Sequence, residues 1–335
     1  MPCGLTNLGN TCFLNACVQL LNYTDEIIAV PLDINPHDND LDRAVFIHWR
    51  ELRDMMRDVR GKMPNPVATP GKFVKTIHDV ANVKGRHIFT GWAQNDLTEF
   101  LLFMIECMHN SKKRKEHINI CGTTESAIDA LAVECYSMLK DTYGRGEFSE
   151  FANIFHGIYV SRLFTPDGNT LHSNKPESFS ILDLPIPLRT GEISLSDCFD
   201  EFVEDELLSG WFNEKEGRKE PVRKNIAFWS FPNVLIVTIK RFSPDGQQKN
   251  CSLIDFPLDN LDLSKYVVGY KQNSYKYRLF GVANHIGGIM GGHYTAYIMT
   301  GGDKWHCFDD GSVSEIVNPS KVVSPFAYCL FYRKI

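Results

Sequence analysis

The stretch Gly-Leu-Thr-Asn-Leu-Gly-Asn-Thr-Cys-Phe-Leu-Asn occupies residues 4–15 and places a cysteine where a turn-rich loop gives way to a helix. Apolar side chains then recur with the spacing of one helix face, at Phe13, Cys17, Leu20 and Leu21. Asn10 and Thr11 precede that face as candidate capping residues. We therefore expect the first helix to begin at or near Cys12.

Helical periodicity dominates the first 148 residues and then stops. Amphipathic patterns predict further helices over Arg43 to Val59, Asp96 to Met108 and Ser126 to Leu139. After Phe148, short β-rich runs bounded by Gly, Pro and Asn replace them, at Ile158 to Phe164, Ser178 to Leu184, Val234 to Ile239, Leu279 to Ala283, Tyr294 to Met299 and Ala327 to Tyr332. Helices followed by strands predict the α+β class.

The composition excludes several classes of protein. Of the 335 residues, 43% are hydrophobic and 23% are charged, which is typical of a folded chain with a sizeable core. The net charge of −6 provides no basic field for nucleic acid. The apolar runs fall far short of the roughly 20 residues that span a bilayer, so we expect no membrane crossing. The N-terminus lacks signal-peptide features, which predicts a cytoplasmic or nuclear protein with reduced cysteines.

Cys12 is the candidate nucleophile. A thiol in the first turn of a helix, beside an imidazole, acquires a lower pKa through the helix dipole and the nearby charge. The alternative is that a lone cysteine at this position is a small buried residue. Asn7, flanked by Gly4 and Gly9, lies in a loop that can bring its carboxamide near the thiol as an oxyanion donor. The alternative is that Asn7 and Asn10 serve only as turn and cap residues, which we favour for Asn10.

His293 is the candidate base among the eleven histidines. It follows the glycine-rich loop of residues 287–292, whose backbone can approach a ligand closely, and it begins the predicted strand that continues to Met299. His285 and His306 are weaker candidates, because one lies across this loop and the other lies in the middle of a strand.

A hairpin after this strand supplies a carboxylate for His293. The chain turns through Gly301-Gly302 and returns along residues 305–310. Either Asp309 or Asp310, at the end of the returning strand, can reach the ring of His293 and fix its tautomer. Adjacent strand residues point to opposite faces, so the residues alone leave open which of the two faces His293 and whether Asp310 shares the role of Asp309.

Several stretches resemble the signatures of the ubiquitin-specific proteases. Residues 4–15 look like the Cys box of that family. A second stretch resembles the family's His box: it comprises Gly291-Gly292-His293-Tyr294-Thr295-Ala296-Tyr297, together with Trp305 and Phe308-Asp309-Asp310-Gly311-Ser312-Val313. Residues 94–100, Gln-Asn-Asp-Leu-Thr-Glu-Phe, are similar to its Gln-Asp box, and residues 231–242 and 327–332 to strands of its palm. The resemblance covers nearly the whole chain.

This resemblance implies a papain-like cysteine protease with a thumb, a palm and fingers. It implies one catalytic domain over residues 1–335, with a helical thumb over 1–148 and a sheet-rich palm and fingers over 149–335. The implied catalytic residues are Cys12 as nucleophile, His293 as base, Asp309 as orienting carboxylate and Asn7 as oxyanion donor. The family spacing favours Asp309 over Asp310. Neither a metal nor an organic cofactor is implied.

The implied activity is that of a deubiquitinating thiol isopeptidase, acting as a monomer on ubiquitin and ubiquitinated proteins. The implied substrate-binding residues are Gln94, Asp96, Glu99, Gly291, Gly292 and Tyr294. Ubiquitin ends in Leu-Arg-Gly-Gly, and Asp96 and Glu99, about one turn apart, can pair with the arginine of this tail. The alternative is that both are ordinary acids at a helix N-terminus.

Two other functions fit the same residues. One is a protease for a ubiquitin-like modifier, because recognition of the tail is shared while contacts with the globular body cannot be read from the sequence. The other is a catalytically silent scaffold that binds ubiquitin. Reaction with an electrophilic ubiquitin probe separates these alternatives from the leading interpretation.

The sequence departs from the family at the tips of the fingers. Related proteases often carry two C-x-x-C pairs that bind zinc, whereas this chain has residues 165–168 and 213–216 at the corresponding places, with no C-x-x-C pair anywhere. We therefore expect no zinc site and fingers held by strand pairing and packing alone. The alternative is a site assembled from distant residues such as His156, His172 or Cys198.

Overall fold

A computed structural model describes residues 2–32, 41–213, 216–243, 245, 247–288 and 291–335. Residues 289 and 290 of the glycine-rich loop, and residues 214 and 215 at the fingertip, lie outside the described residues. The described helices are α1 Cys12–Asn22, α2 Asp25–Ala29, α3 Leu41–Val59, α4 Gly71–Val83, α5 Leu97–Lys112, α6 Ala127–Gly144, α7 Glu150–Phe155 and α8 Leu195–Val203. All but α8 precede the long strands.

The strands follow mainly after α7. They are β1 Gly4–Leu5, β2 Val67–Ala68, β3 Gly157–Phe164, β4 Leu171–Phe179, β5 Ile181–Leu184, β6 Ile193–Ser194, β7 Glu206–Asn213, β8 Arg218–Ser230, β9 Val234–Ile239, β10 Ile254–Asp255, β11 Leu261–Asp262, β12 Lys276–Gly288, β13 Gly291–Met299, β14 Trp305–Asp309, β15 Ser312–Ile316 and β16 Ala327–Lys334.

These strands form two principal sheets. The larger has the order β15-β14-β13-β12-β16-β9-β5, with β11 paired to β12, and it is antiparallel apart from the β5–β9 pair. The smaller has the order β4-β3-β8-β7 and is antiparallel throughout. Helices in the first half and antiparallel sheets in the second confirm the α+β class expected from the sequence.

Helix α1 is the element around which the site is built. All eleven of its residues are buried, including the polar Asn15 and Gln19. It packs against β12, β13 and β14 of the large sheet and against helix α5, where the rings of Phe13 and Phe100 meet at 5.3 Å. A helix covered on every side cannot shift without disturbing the core, so its first residue, Cys12, has a fixed place.

The predicted helices are present, with ends that differ by a few residues, and helix α1 begins at Cys12 as expected. The predicted continuous strand from Ser178 to Leu184 is wrong. Strand β4 pairs with β3 in the small sheet, whereas β5 pairs with β9 in the large one, so the chain changes sheets at Ser180. The small sheet thus takes the first two residues of the predicted run and the large sheet takes its last four.

The small sheet is held by strand pairing and by polar contacts across it. The carboxylate of Asp205 accepts hydrogen bonds from Arg223 Nη1 at 3.1 Å and from Asn225 Nδ2 at 2.7 Å, and Arg162 Nε donates to Asn225 Oδ1 at 2.9 Å. These bonds link β3, β8 and the segment before β7.

As for membranes, the helices within the described ranges are all too short or too polar to cross a bilayer.

Strand β1 fixes the loop before α1 against the end of the β14–β15 hairpin. The backbone N–H of Leu5 donates to the carbonyl of Asp310 at 2.8 Å. A Cβ atom on Gly4 would lie 2.4 Å from the carbonyl oxygen of Gly311, a backbone atom that cannot move aside alone. The close approach of these two segments therefore depends on a glycine at residue 4.

We predict that Gly4→Ala lowers the free energy of unfolding by about 1–3 kcal/mol, the usual range for overpacking. Gly71→Ala is the matched control, because a Cβ there meets no atom within 4 Å. Urea denaturation of both variants measures the difference. Equal stability of Gly4→Ala and the unsubstituted protein would contradict this account of how the two segments meet.

Candidate active site

The loop before α1 is organised by the side chain of Asn7. Its Oδ1 accepts hydrogen bonds from the backbone N–H of Gly9 at 2.9 Å, and from the backbone N–H and the hydroxyl of Thr11, both at 3.2 Å. Gly9 and Asn10 both have positive φ angles, which turn the chain sharply before the helix. The result is a compact loop that ends at Cys12.

Cys12 is buried, with 4% of its surface exposed, as the first residue of α1. Burial raises the pKa of its thiol above the ordinary value and the charge of Asp310 raises it further, while the backbone hydrogen bonds at Tyr294 and Phe13 act in the opposite direction. The lowered pKa expected from the helix start and a nearby imidazole is therefore wrong for this conformation. The described hydrogen bonds include none between the Cys12 sulfur and His293.

His293 and Asp309 form a hydrogen-bonded pair. His293 lies near the start of β13 and Asp309 at the end of β14, two strands that pair in antiparallel register. The Nε2 atom of His293 lies 2.6 Å from Oδ1 of Asp309. This contact leaves the Nδ1 side of the ring available for a thiol.

Asp310 faces a different set of partners. Its Oδ2 accepts a hydrogen bond from Asn7 Nδ2 at 2.8 Å, and its Oδ1 accepts one from Asn15 Nδ2 at 2.7 Å. The backbone at Asp310 has φ 48°, a left-handed conformation that aspartate tolerates better than most residues. The two adjacent carboxylates are thus divided between His293 and the asparagines that flank Cys12.

A groove of about 190 Å³ runs beside Cys12. Cys12, Phe13, Gln94, Asn95, Asp96, Phe242, His285, Gly288, Gly291, Gly292 and Tyr294 line it. Gln94 crosses it, because its Oε1 accepts a hydrogen bond from the backbone N–H of Gly292 at 2.9 Å. Of the six residues expected to bind substrate, five therefore lie in the groove.

Glu99 lies apart from the groove, and Asp96 has partners of its own. The Oδ1 atom of Asp96 caps α5 by accepting from the backbone N–H groups of Thr98 and Glu99, and its Oδ2 accepts from the hydroxyls of Tyr294 and Tyr328. The Asp96 carboxylate thus joins α5 to β13 and β16. Glu99 is exposed and lines a separate groove that also contains Arg86.

The two other histidines considered from the sequence have different surroundings. His285 is buried, and burial together with the neighbouring Lys249 lowers its pKa to about 4. Its Nδ1 lies 3.0 Å from the ammonium of Lys249. His306 places Nδ1 2.8 Å from the hydroxyl of Thr300. Among the described residues, neither ring forms a hydrogen bond or ion pair with a carboxylate as His293 does.

One cluster of side chains has the donor atoms that a metal ion would need. Among the described residues, the one group with ligand atoms close enough is His293, Asp309 and Asp310, within 4.8 Å of one another. The side chains of this group are already hydrogen-bonded, His293 to Asp309 and Asp310 to Asn7 and Asn15, and the group is partly exposed. His172 of the alternative distant site instead lies near Trp211 and Glu220.

Two residues of the site were not anticipated from the sequence. Asn15 is 2% exposed and lies one turn after Cys12, so that both face the same side of α1. That i, i+3 spacing was the available signal. Lys249 contacts His285 from a distant loop. The family resemblance implies that loops near residues 243–254 and 285–292 lie beside the catalytic channel, but no local pattern in the sequence singles out Lys249.

Comparison with known proteins places this geometry in a family. The family model described as ubiquitin carboxyl-terminal hydrolase matches residues 3–332. Human ubiquitin carboxyl-terminal hydrolase 2 is 32% identical over 343 residues, covering 98% of this chain and 54% of the human protein. Ubiquitin carboxyl-terminal hydrolase 5 of Saccharomyces cerevisiae is 28% identical over 367 residues, covering 99% and 44%. The chain spans about half the length of these relatives.

Solved structures show the same fold. The SAGA Ubp8/Sgf11/Sus1/Sgf73 DUB module bound to ubiquitin aldehyde contains a chain that matches with a TM-score of 0.73 and 21% identity, covering 99% of this chain and 69% of that one. The same module bound to monoubiquitin gives a TM-score of 0.74 and 20% identity, with the same coverage. The papain-like arrangement expected from the sequence is thereby confirmed. With the family match over nearly its whole length, the chain belongs to the ubiquitin carboxyl-terminal hydrolases, as its resemblance to the ubiquitin-specific proteases indicated.

Proposed function

We propose that this protein is a deubiquitinating cysteine protease that hydrolyses the bond after the C-terminal glycine of ubiquitin, on proteins or in polyubiquitin. The observation that carries the proposal is the His293–Asp309 pair at 2.6 Å beside the groove that Cys12 lines. A thiol, an imidazole and an orienting carboxylate are the groups that acyl transfer by a cysteine nucleophile requires.

The proposed reaction has two acyl-transfer steps. The Cys12 thiol gives its proton to Nδ1 of His293, and the sulfur bonds to the carbonyl carbon of the terminal glycine. The imidazolium then protonates the leaving lysine amine as the carbon–nitrogen bond breaks, which leaves a thioester. Water, deprotonated by His293, hydrolyses the thioester and restores the thiol. Asp309 holds the ring in the required orientation throughout.

The proposed oxyanion donors come from the loop that precedes α1. One N–H of the Asn7 amide is bonded to Asp310, which orients the group and leaves its second N–H for the developing oxyanion. The free backbone N–H groups in the first turn of α1 add to this field. Asp310 thereby acts as the positioning residue for Asn7, as Asp309 does for His293.

The proposed path of the tail follows the groove to the thiol. Gln94 and the backbone of Gly291 and Gly292 form its walls, with Tyr294 beneath them, so side-chain-free residues suit it. Glu99 supplies the acid for the tail's arginine, because the carboxylate of Asp96 already accepts four hydrogen bonds. Asp96 keeps α5 in register with β13, and its charge adds to that of Glu99.

Ubiquitin is the proposed partner, because both structural neighbours carry ubiquitin or ubiquitin aldehyde. Those neighbours also contain further subunits, whereas we propose that this domain works as a monomer without metal or cofactor. The cysteines in the described structure are free thiols, which accords with the cytoplasm or nucleus as the proposed location. A protease for a ubiquitin-like modifier and a silent scaffold are the two alternatives.

Reaction with a ubiquitin probe that carries a C-terminal electrophile tests the proposal. We predict one stable adduct on Cys12, its loss in Cys12→Ala with ubiquitin binding retained, and an unchanged adduct in the exposed-thiol control Cys251→Ala. Intact-mass spectrometry and a binding assay measure both properties. Absence of any adduct with binding intact would favour the scaffold, and reaction only with probes built on ubiquitin-like proteins would favour the other alternative.

The raised pKa of Cys12 predicts how the free enzyme responds to pH. A thiol whose pKa lies above the ordinary value of 9.0 is mostly protonated at neutral pH, and its thiolate fraction rises with pH beyond 9. Alkylation of Cys12 by iodoacetamide, followed by peptide mass spectrometry, should accelerate through pH 9 without a plateau. An alkylation rate that has already reached its plateau at pH 7 would show that the thiolate exists without substrate. That result would contradict the raised pKa of the Cys12 thiol.

A further inference from the structure

The end of β12 extends beyond the strand that should pair with it. Strand β16 pairs with β12 only as far as Asn284, while β13 pairs with it up to Gly288. The backbone N–H of His285 still donates to Phe326, so the carbonyls of His285 and Gly287 point to the side that β16 has left. Unpaired carbonyls at this edge require another donor or water.

Lys249 supplies that donor. Its Nζ atom lies 2.8 Å from the carbonyl oxygen of His285, 2.9 Å from that of Gly287, and 3.0 Å from Nδ1 of the His285 ring. An ammonium has three N–H groups, and here each has one acceptor. The single side chain thus takes over the hydrogen bonds that β16 no longer provides.

The position of Lys249 is itself fixed by a buried arginine. Lys249 pairs with Phe242 across the base of a loop, and its ammonium lies 5.6 Å from the centre of the Phe242 ring. Arg241, 1% exposed, donates from Nε to the carbonyl of Ala327 at 2.7 Å and from Nη1 to those of Asn250 and Ser252 at 3.0 and 2.9 Å. The base of this loop is therefore anchored to β16.

The contact with His285 reaches the catalytic strand. Because Nδ1 accepts from Lys249 and burial keeps the ring neutral, with a pKa lowered to about 4, the proton of His285 lies on Nε2. The ring packs on Gly292, where a Cβ atom would lie 2.2 Å from Nε2. Gly292 precedes His293, so the orientation of His285 fixes the backbone from which the base projects.

We propose that Lys249 is a positioning residue that clamps the roof of the groove, formed by residues 285–288, and through it the backbone at His293. By holding this roof in place, Lys249 keeps the groove narrow enough to admit a tail without side chains. It thereby sets the selectivity for glycine at the position next to the scissile residue. The inference deepens the proposed function and rests on it. Lys249 is not among the substrate-binding residues that the family resemblance implies.

The test compares Lys249→Met with Lys240→Met. Methionine keeps the length of the side chain but removes all three donors. Lys240 is the matched control, since among the described residues its half-exposed ammonium contacts the carboxylate of Asp183, at 3.7 Å, and nothing in the groove. Each variant is assayed with two fluorogenic ubiquitin substrates, one native and one with the penultimate glycine changed to alanine. Thermal unfolding is recorded alongside.

Lys249→Met should lower kcat/KM for the native substrate by about tenfold or more, because a small misplacement of reacting groups is costly. It should also reduce the preference for glycine over alanine, since a fitted pocket discriminates one methyl group by about 10- to 200-fold and a loosened one does not. Lys240→Met should leave both quantities unchanged.

An unchanged preference for glycine in Lys249→Met overturns the proposal, whether or not kcat/KM falls, because a purely structural role would lower activity without altering selectivity. Unchanged kcat/KM overturns it as well. Failure of the unsubstituted protein to cleave the native substrate is a different result, since it contradicts the proposed function and not the role of Lys249.

Discussion

Two successive aspartates at the end of β14 connect the parts of the molecule on which the site depends. Asp309 holds His293 at 2.6 Å, while Asp310 holds Asn7 and Asn15 at 2.8 and 2.7 Å. Asp309 ends β14 and Asp310 follows it with a left-handed backbone, so two neighbouring residues serve both the sheet and the helix. The loop before Cys12 and the hairpin of His293 are thereby joined across some 300 residues of sequence.

Local patterns in the sequence were sufficient for the elements that carry the proposed catalytic groups. The start of α1 at Cys12, the strand after His293 and the hairpin through Gly301-Gly302 depend on helical period, glycine placement and alternation. Each of these signals is contained within about ten residues. The choice between Asp309 and Asp310 needed the family spacing as well, because strand alternation alone does not say which face is which.

Contacts between distant segments could not be predicted in the same way. The carboxylate of Asp96 accepts hydrogen bonds from two tyrosines that lie 198 and 232 residues further along the chain. Lys249 reaches an edge of β12 that exists only because the pairing with β16 stops at Asn284. The expected direction of the pKa shift at Cys12 was wrong for the same reason, because burial of the thiol in the folded protein raises its pKa. Such terms depend on tertiary packing, which no short window of sequence contains.

The central claim is that the two aspartates serve different catalytic groups, and a double-mutant cycle with His293→Ala tests it most directly. The measured quantity is the rate of acylation by the electrophilic ubiquitin probe. Asp309→Asn should cost nothing further once His293 is absent, because residues that act as a unit are non-additive. Asp310→Asn should still slow the residual reaction through Asn7. Equal behaviour of the two aspartates in the His293→Ala background would contradict the account.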